Sequence, residues 1–242
     1  MVGSGNAGLT GILIAAWPYR IEREAMTAYI PPPDCGLDLI HADDSLIVVD
    51  KPAGLLSVPG RGADKADCLA SRVQAVFPDA LTVHRLDMST SGLILLARGE
   101  AMHRALSICF QERQVDKRYV AVVDGLLAEE SGEIDLPLIC DWPNRPRQKV
   151  DFEIGKRSLT RFRRLKINPA NDTTVVELEP ITGRSHQLRV HLASLGHPIL
   201  GDDLYGGEAF AKAERLLLHA MDLAFVHPVS GAALSFHSEP PF

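Results

Sequence analysis

Asp87 lies in V-H-R-L-D-M-S-T-S-G, residues 83–92, behind His84 and Arg85 and ahead of a small polar run, Ser89 to Gly92. Directly after it comes Leu93–Ala97, an apolar run bounded by turn residues, which reads as a buried strand. A carboxylate on a polar loop that feeds a core strand is held firmly and can still face a cleft, as a reacting acid must. Asp87 is equally placed to cap the Ser/Thr turn, and these residues alone leave both readings open. His84, His186 and His191 are a second group of candidates, which with Asp87 would be the donors of a metal-dependent hydrolase. His186 and His191 are five apart, whereas two ligands on one helical face sit four apart, and no Glu or Cys spacing accompanies them. A metal site is therefore not expected.

Other polar residues sit at element boundaries. Ile181-Thr182-Gly183-Arg184 turns into a helix expected over Ser185–Leu195, with Leu188, Leu192 and Leu195 as its apolar stripe and Gly196 past its end. An arginine at a helix start is mildly disfavoured by the helix dipole, so Arg184 points to a specific anionic partner. Tyr119 falls in Lys117–Val123, expected as a strand that ends at Asp124-Gly125.

The elements that must position these groups follow from pattern. Leu37–Asp50 reads as a strand ending in Leu46–Val49, and Lys51-Pro52-Ala53-Gly54 as turn chemistry after it. Asp67 is expected to cap a short helix whose apolar face is Leu69, Val73, Val76 and Phe77. Glu100–Arg113 reads as a helix burying Met102, Leu106, Cys109 and Phe110. Asp135–Lys149 is Pro-rich and irregular, Phe152–Lys166 and Thr173–Glu179 form a strand pair, and Gly201–Gly207 is a loop. Leu216–His219 and Ala233–Phe236 are the last strands. Many strands with few helices, not in regular alternation, give an α+β class around a largely antiparallel sheet.

Composition bounds the rest. The 242 residues suffice for one sizeable core, and 46% apolar with 23% charged residues is ordinary for a globular chain. Cys35, Cys68, Cys109 and Cys140 are scattered with no C-x-x-C pair, which fits a reducing cytoplasm. No apolar run approaches the roughly 20 residues of a membrane span. The net charge is −6, yet residues 141–170 hold nine Lys/Arg against three acidic residues. That basic cluster is either a solvated face or a track for phosphates. Residues before about Met26 match nothing and are expected to be disordered or untranslated. Pro31-Pro32-Pro33 breaks the chain, so 1–36 is expected as an extension and 37–242 as one catalytic domain.

Four stretches, K-P-x-G at Lys51, H-R-L-D-x-x-T-S-G-L at His84, R-Y-V-A at Arg118 and I-T-G-R-S-H-Q-L-R-V-H at Ile181, resemble the motifs of the RluA-type pseudouridine synthases. The second and fourth are long and specific. The resemblance implies the pseudouridine synthase fold, a mixed and largely antiparallel central sheet with flanking helices and loops. It implies Asp87 as the catalytic carboxylate, Arg184 as its arginine partner, and Tyr119 as the residue that stacks on the target base and later moves a proton. Arg85 would enter the RNA loop as the target nucleotide is extruded. Leu188 would pack in the pocket, although core packing explains it equally well. No cofactor or metal is implied for a redox-neutral isomerisation, and no obligate protein partner. Residues 55–61, 135–150 and 196–202 most resemble the family member that modifies both 23S ribosomal RNA and tRNA, so stem-loops of both are the expected partners, in the cytoplasm. A single-substrate ribosomal RNA enzyme of the same family is the nearest alternative. A non-catalytic RNA-binding module would need none of Asp87, Tyr119 and Arg184, and all three are present.

Overall fold

The structure, a computed structural model, describes residues 29–242; the expected disordered or untranslated start before Met26 lies outside them. In chain order the elements are β1 (Asp38–Ala42), β2 (Leu46–Lys51), α1 (Leu69–Val76), β3 (Ala80–Thr82), β4 (Ser91–Arg98), α2 (Gly99–Gln111), β5 (Val115–Asp124), β6 (Ser131–Asp135), β7 (Leu138–Cys140), β8 (Gln148–Val150), β9 (Leu159–Asn168), β10 (Thr173–Pro180), α3 (Gln187–Ser194), β11 (Leu218–Val226) and β12 (Ala233–His237). The main sheet runs β1-β2-β4-β11-β5-β10-β9-β6, with β3 added to β4 and β12 to β11, while β7 and β8 form a separate hairpin. Every named strand pair is antiparallel except β4 with β11. The expected α+β, largely antiparallel architecture is what the chain adopts.

β4 is the spine. Leu93–Ala97 is buried on both faces, and strand alternation splits its side chains between two cores. Leu93, Leu95 and Ala97 meet Leu46, Val48 and the buried face of α2, namely Met102, Leu106 and Cys109. Ile94 and Leu96 meet Ile47, Val49 and Leu69 and Val73 of α1. A third core joins α3 to β5, β10 and β11 through Leu188, Leu192, Ala121, Leu178 and Leu218. Tyr119 packs against the second and the third. Where β4 pairs with β11 the backbones nearly touch: a Cβ on Gly92, at φ +114°, would lie 2.3 Å from the Ala220 carbonyl oxygen. Only glycine fits there.

Several boundaries differ from the pattern-based expectation for local reasons. Leu37–Asp50 is a hairpin, because the Asp43 carboxylate accepts from the Ser45 and Leu46 amides at 2.7 and 2.9 Å and turns the chain. The cap of α1 is Cys68, whose sulfur accepts from the Ser71 amide, while Asp67 binds Arg72 through two oxygens at 2.8 Å each. β9 starts at Leu159, since Asp151 folds 151–155 into a turn by accepting from the Glu153 and Ile154 amides. The segment read as irregular contains β7 and β8. The expected extension is docked from its first described residue: the Tyr29 hydroxyl donates to the Asp67 carbonyl and accepts from the Leu56 amide, and Arg72 donates to the Pro32 and Pro33 carbonyls.

The loop that carries Asp87 is clamped to the K-P-x-G turn. Lys51, fully buried, donates to the carbonyls of Pro52 and Leu55 at 2.8 Å and of Met88 at 3.1 Å. The Gly54 amide reaches the same Met88 carbonyl at 2.8 Å. The Ser57 hydroxyl donates to the Leu86 carbonyl and accepts from the Leu86 amide. His84 accepts from the Leu95 amide at 2.9 Å and stacks on Phe110; burial pushes its pKa down to about 3, so it serves as a neutral acceptor.

Burial also pulls the Lys51 pKa from 10.5 down to about 7, against the opposing charge of Asp87. An unfolded lysine keeps its proton up to its ordinary pKa, so this group makes stability rise as pH increases from about 7 towards 10.5. Urea unfolding at a few pH values checks this. Wild type is expected to gain stability between about pH 7 and pH 9, while Lys51→Met loses that rise together with roughly 2 kcal/mol or more from the orphaned carbonyls. An unchanged midpoint and pH profile for Lys51→Met would contradict the clamp.

Candidate active site

Asp87, with a fifth of its side chain exposed, faces the start of α3. Its Oδ2 lies 3.8 Å from Nη1 of Arg189 and its Oδ1 lies 3.8 Å from Nε2 of His186. Both separations are too long for direct hydrogen bonds. The two groups therefore aim the carboxylate without using up its lone pairs.

Arg189 is only 3% exposed. Its Nε donates to Asp202 Oδ2 at 2.8 Å, and its Nη2 donates to Asp202 Oδ1 at 2.5 Å and Asp203 Oδ1 at 2.8 Å. Burial works against its charge, but the hydrogen bonds to Asp202 and the charges of Asp202, Asp87 and Asp203 outweigh it and raise its pKa. Asp202 in turn accepts from the Leu204 and Tyr205 amides, which fixes the turn after Gly201. The Tyr205 ring lies beneath the guanidinium, 5.3 Å from centroid to carbon.

His186 has a left-handed backbone, φ 54° and ψ 17°, unusual for a residue with a side chain. That conformation ends the turn from Gly183 and swings the ring between Tyr205 and Asp87. The Tyr205 hydroxyl is 2.7 Å from His186 Nδ1 and accepts from the Gln148 amide at 2.7 Å. Burial holds the His186 pKa below its usual range despite the Asp87 charge, and burial raises that of Tyr205. A neutral imidazole that accepts the Tyr205 hydroxyl at Nδ1 carries its own hydrogen on Nε2, the nitrogen nearer Asp87. Tyr119, partly buried, is also raised, by burial first and by Asp87 second, so it remains a phenol.

The structure brings Asp87, Tyr119 and the start of α3 together, but not Arg184. Arg184 is exposed and its Nε donates to the Arg157 carbonyl at 3.3 Å. The arginine beside Asp87 is Arg189, and the expectation for Arg184 is corrected accordingly. Arg184 lies in the turn before the helix, whereas Arg189 lies within α3 on the side towards Asp87. Arg85 is exposed next to Asp87, and Leu188 is buried in the core with Leu178 and Leu192. Residue pattern missed Asp202, Asp203 and Tyr205 in what read as a plain loop; paired acids between glycines were the available signal. His191 bonds to Thr160 and to the Leu136 carbonyl, and Gln187 to Thr182, Thr160 and Leu159. These bonds satisfy a helix whose residues 187–193 are all buried. Among the described residues no three His, Cys, Asp or Glu are grouped to hold a metal ion.

A family model described as RNA pseudouridylate synthase matches residues 45–194, which span the Lys51 clamp, Asp87, Tyr119 and α3. The chain belongs to the RNA pseudouridylate synthase family. It is 56% identical over 207 residues to the dual-specificity RNA pseudouridine synthase RluA of Vibrio cholerae, covering 85% of this chain and 84% of that protein. With the RluA of Escherichia coli K12 it shares 50% identity over 90% of this chain and 99% of the other. Among solved structures, human RNA pseudouridylate synthase domain containing 1 superposes with a TM-score of 0.73 at 29% identity, over 88% of this chain and 87% of the other.

The two arginines make opposite predictions. Arg184→Ala is expected to keep the folded state and stay within about threefold of the wild-type kcat for pseudouridine formation. Arg189→Lys loses the planar fork that spans Asp202 and Asp87, and is expected to lower kcat by roughly a hundredfold in its folded fraction. Single-turnover rates on an RNA hairpin decide this. An inactive Arg184→Ala beside a near-normal Arg189→Lys would reverse the assignment.

Proposed function

We propose that this protein isomerises uridine to pseudouridine in stem-loops of both 23S ribosomal RNA and tRNA, with Asp87 as the reacting carboxylate. The observation that carries the proposal is Asp87 itself, partly exposed and held between Arg189 and His186 with its oxygens unspent. The dual-specificity names of relatives at 50–56% identity support the two substrate classes.

The reaction breaks the N1–C1′ bond, turns the uracil over and joins C5 to C1′. The electron pair of the broken bond leaves with N1, and positive charge gathers at C1′. A carboxylate beside C1′ stabilises that charge, as in glycoside cleavage, by adding to C1′ or by taking the C2′ proton on a glycal route. Once C5 bonds to C1′ its hydrogen leaves as a proton and N1 gains one, so product and substrate are isomers. No redox partner or water is consumed. Arg189 orients Asp87 and favours its charged form. Tyr119, kept protonated, offers a stacking face and a hydrogen-bond donor to the base; as a base it would first have to pass its proton on. Leu188 backs the pocket from the core. Arg85, exposed on the same loop, fills the gap left by the extruded nucleotide. Two unrelated RNAs can share this site if a short deformed loop is read and not an extended duplex. The compartment of both substrates is the cytoplasm, where we place the protein. Among the described residues no helix is long and apolar enough to cross a membrane.

The test uses bare RNA. An anticodon stem-loop and a hairpin from 23S ribosomal RNA should each be modified by the purified protein alone, and Arg85→Ala should impair both together. Affinity for both should fall steeply with salt. Reaction of the ribosomal hairpin only, with tRNA pseudouridine unchanged in a deletion strain, would refute dual specificity; modification of neither would refute the synthase proposal.

A further inference from the structure

From the β7–β8 hairpin we infer that Trp142, with Arg145 and Arg147, is a second RNA-contact platform that stacks an unpaired loop base flanking the target uridine. This inference rests on the proposed RNA substrate and adds a place where it is held away from Asp87.

Trp142 is 64% exposed at the turn of the hairpin. An indole so far out of the core has no packing reason to be there. The Arg145 guanidinium lies over the ring at 4.5 Å, and Arg145 Nε donates to the Trp142 carbonyl at 3.2 Å. The turn is well built. The Asp141 amide bonds to the Arg147 carbonyl, the Arg147 amide to the Asn144 carbonyl, and the Asp141 carboxylate is taken up by Asn144. A fixed indole backed by an arginine offers a π face at little ordering cost, and every base can stack on it.

The charge around it is selective. Of the basic residues in 141–170, Arg157 and Arg161 pair with Asp135 and Glu133 of β6, Arg163 with Glu177 of β10, and Arg164 with Glu130 just before β6. Lys149 pairs with Asp151. Among the described residues Arg145, Arg147, Lys156 and Lys166 have no carboxylate within ion-pair distance, and all but Lys166, on β9, lie in or beside the hairpin. The positive charge left over is thus concentrated at the hairpin, where a phosphate backbone complements it.

The hairpin is also tied to the site. Leu138 and Val150 pack on Val190 and Tyr205. Gln148, next to Arg147, donates its amide to the Tyr205 hydroxyl, which meets His186, which faces Asp87. One tyrosine and one histidine separate the hairpin from the carboxylate. A loop with its uridine at Asp87 passes the hairpin within a few nucleotides.

The chain contains two tryptophans, Trp17 and Trp142, so Trp17→Phe leaves Trp142 as the sole reporter. Its fluorescence should be quenched by a hairpin with an open loop and not by a fully paired duplex. Trp142→Ala should raise KM for the hairpin about tenfold with kcat within twofold, and Trp142→Phe should recover most of the loss. Arg145→Ala and Arg147→Ala should each lower the salt slope of binding by about one. Quenching without any turnover would keep the platform and refute the synthase proposal. Normal turnover with an unquenched Trp142 and an unchanged KM for Trp142→Ala would overturn the platform and leave the synthase standing.

Discussion

A buried guanidinium needs more than one carboxylate, and that need organises the end of the molecule where Asp87 sits. Arg189 cannot be taken out of water on the strength of a contact 3.8 Å away. Asp202 and Asp203 meet it at hydrogen-bond distance and satisfy it. Asp87 is left as the outer member of the group, under the same positive charge but bonded to none of it. One cation thereby serves a structural pair and the proposed reacting acid at once. The all-round burial of α3 follows, because its polar side chains must each find a partner inside.

Position from the other side comes from Lys51. Its three carbonyl partners stitch the turn after β2 to the loop before β4, so the Asp87 loop is held by the Lys51 clamp while its carboxylate faces Arg189. The Gly92–Ala220 approach fixes how close β4 lies to β11 and hence to β5 with Tyr119. The geometry around Asp87 is therefore set by backbone contacts across the sheet and not by loop sequence alone.

Much of this was legible in the residues. The apolar run after Asp87, the face of α2 and the strand holding Tyr119 stand out by periodicity, and the chain forms them where expected. What was not legible depended on direction. Arg184 and Arg189 are five residues apart in one motif, and only the packing of α3 against β9, β10 and the Gly201 loop shows which one meets Asp87. The Asp43 and Asp151 turns split expected strands because one carboxylate can outbid a ladder for nearby amides. The basic stretch looked uniform, yet strand register places Glu133 and Glu177 opposite its β9 arginines, information absent from linear charge. His84 and His191, metal-donor candidates by type, are neutral acceptors and donors within the core.

The proposed mechanism puts the chemistry on the Asp87 carboxylate. Forming the C5–C1′ bond must expel the hydrogen at C5, so a hairpin carrying tritium at uridine C5 releases it to water once per isomerisation. The decisive measurement is that release by wild type and by Asp87→Asn, which keeps the shape and removes the charge. Wild type should release the tritium stoichiometrically, and Asp87→Asn at a rate at least about a thousandfold lower with cooperative unfolding and hairpin binding retained. Release by Asp87→Asn at near the wild-type rate would contradict that mechanism.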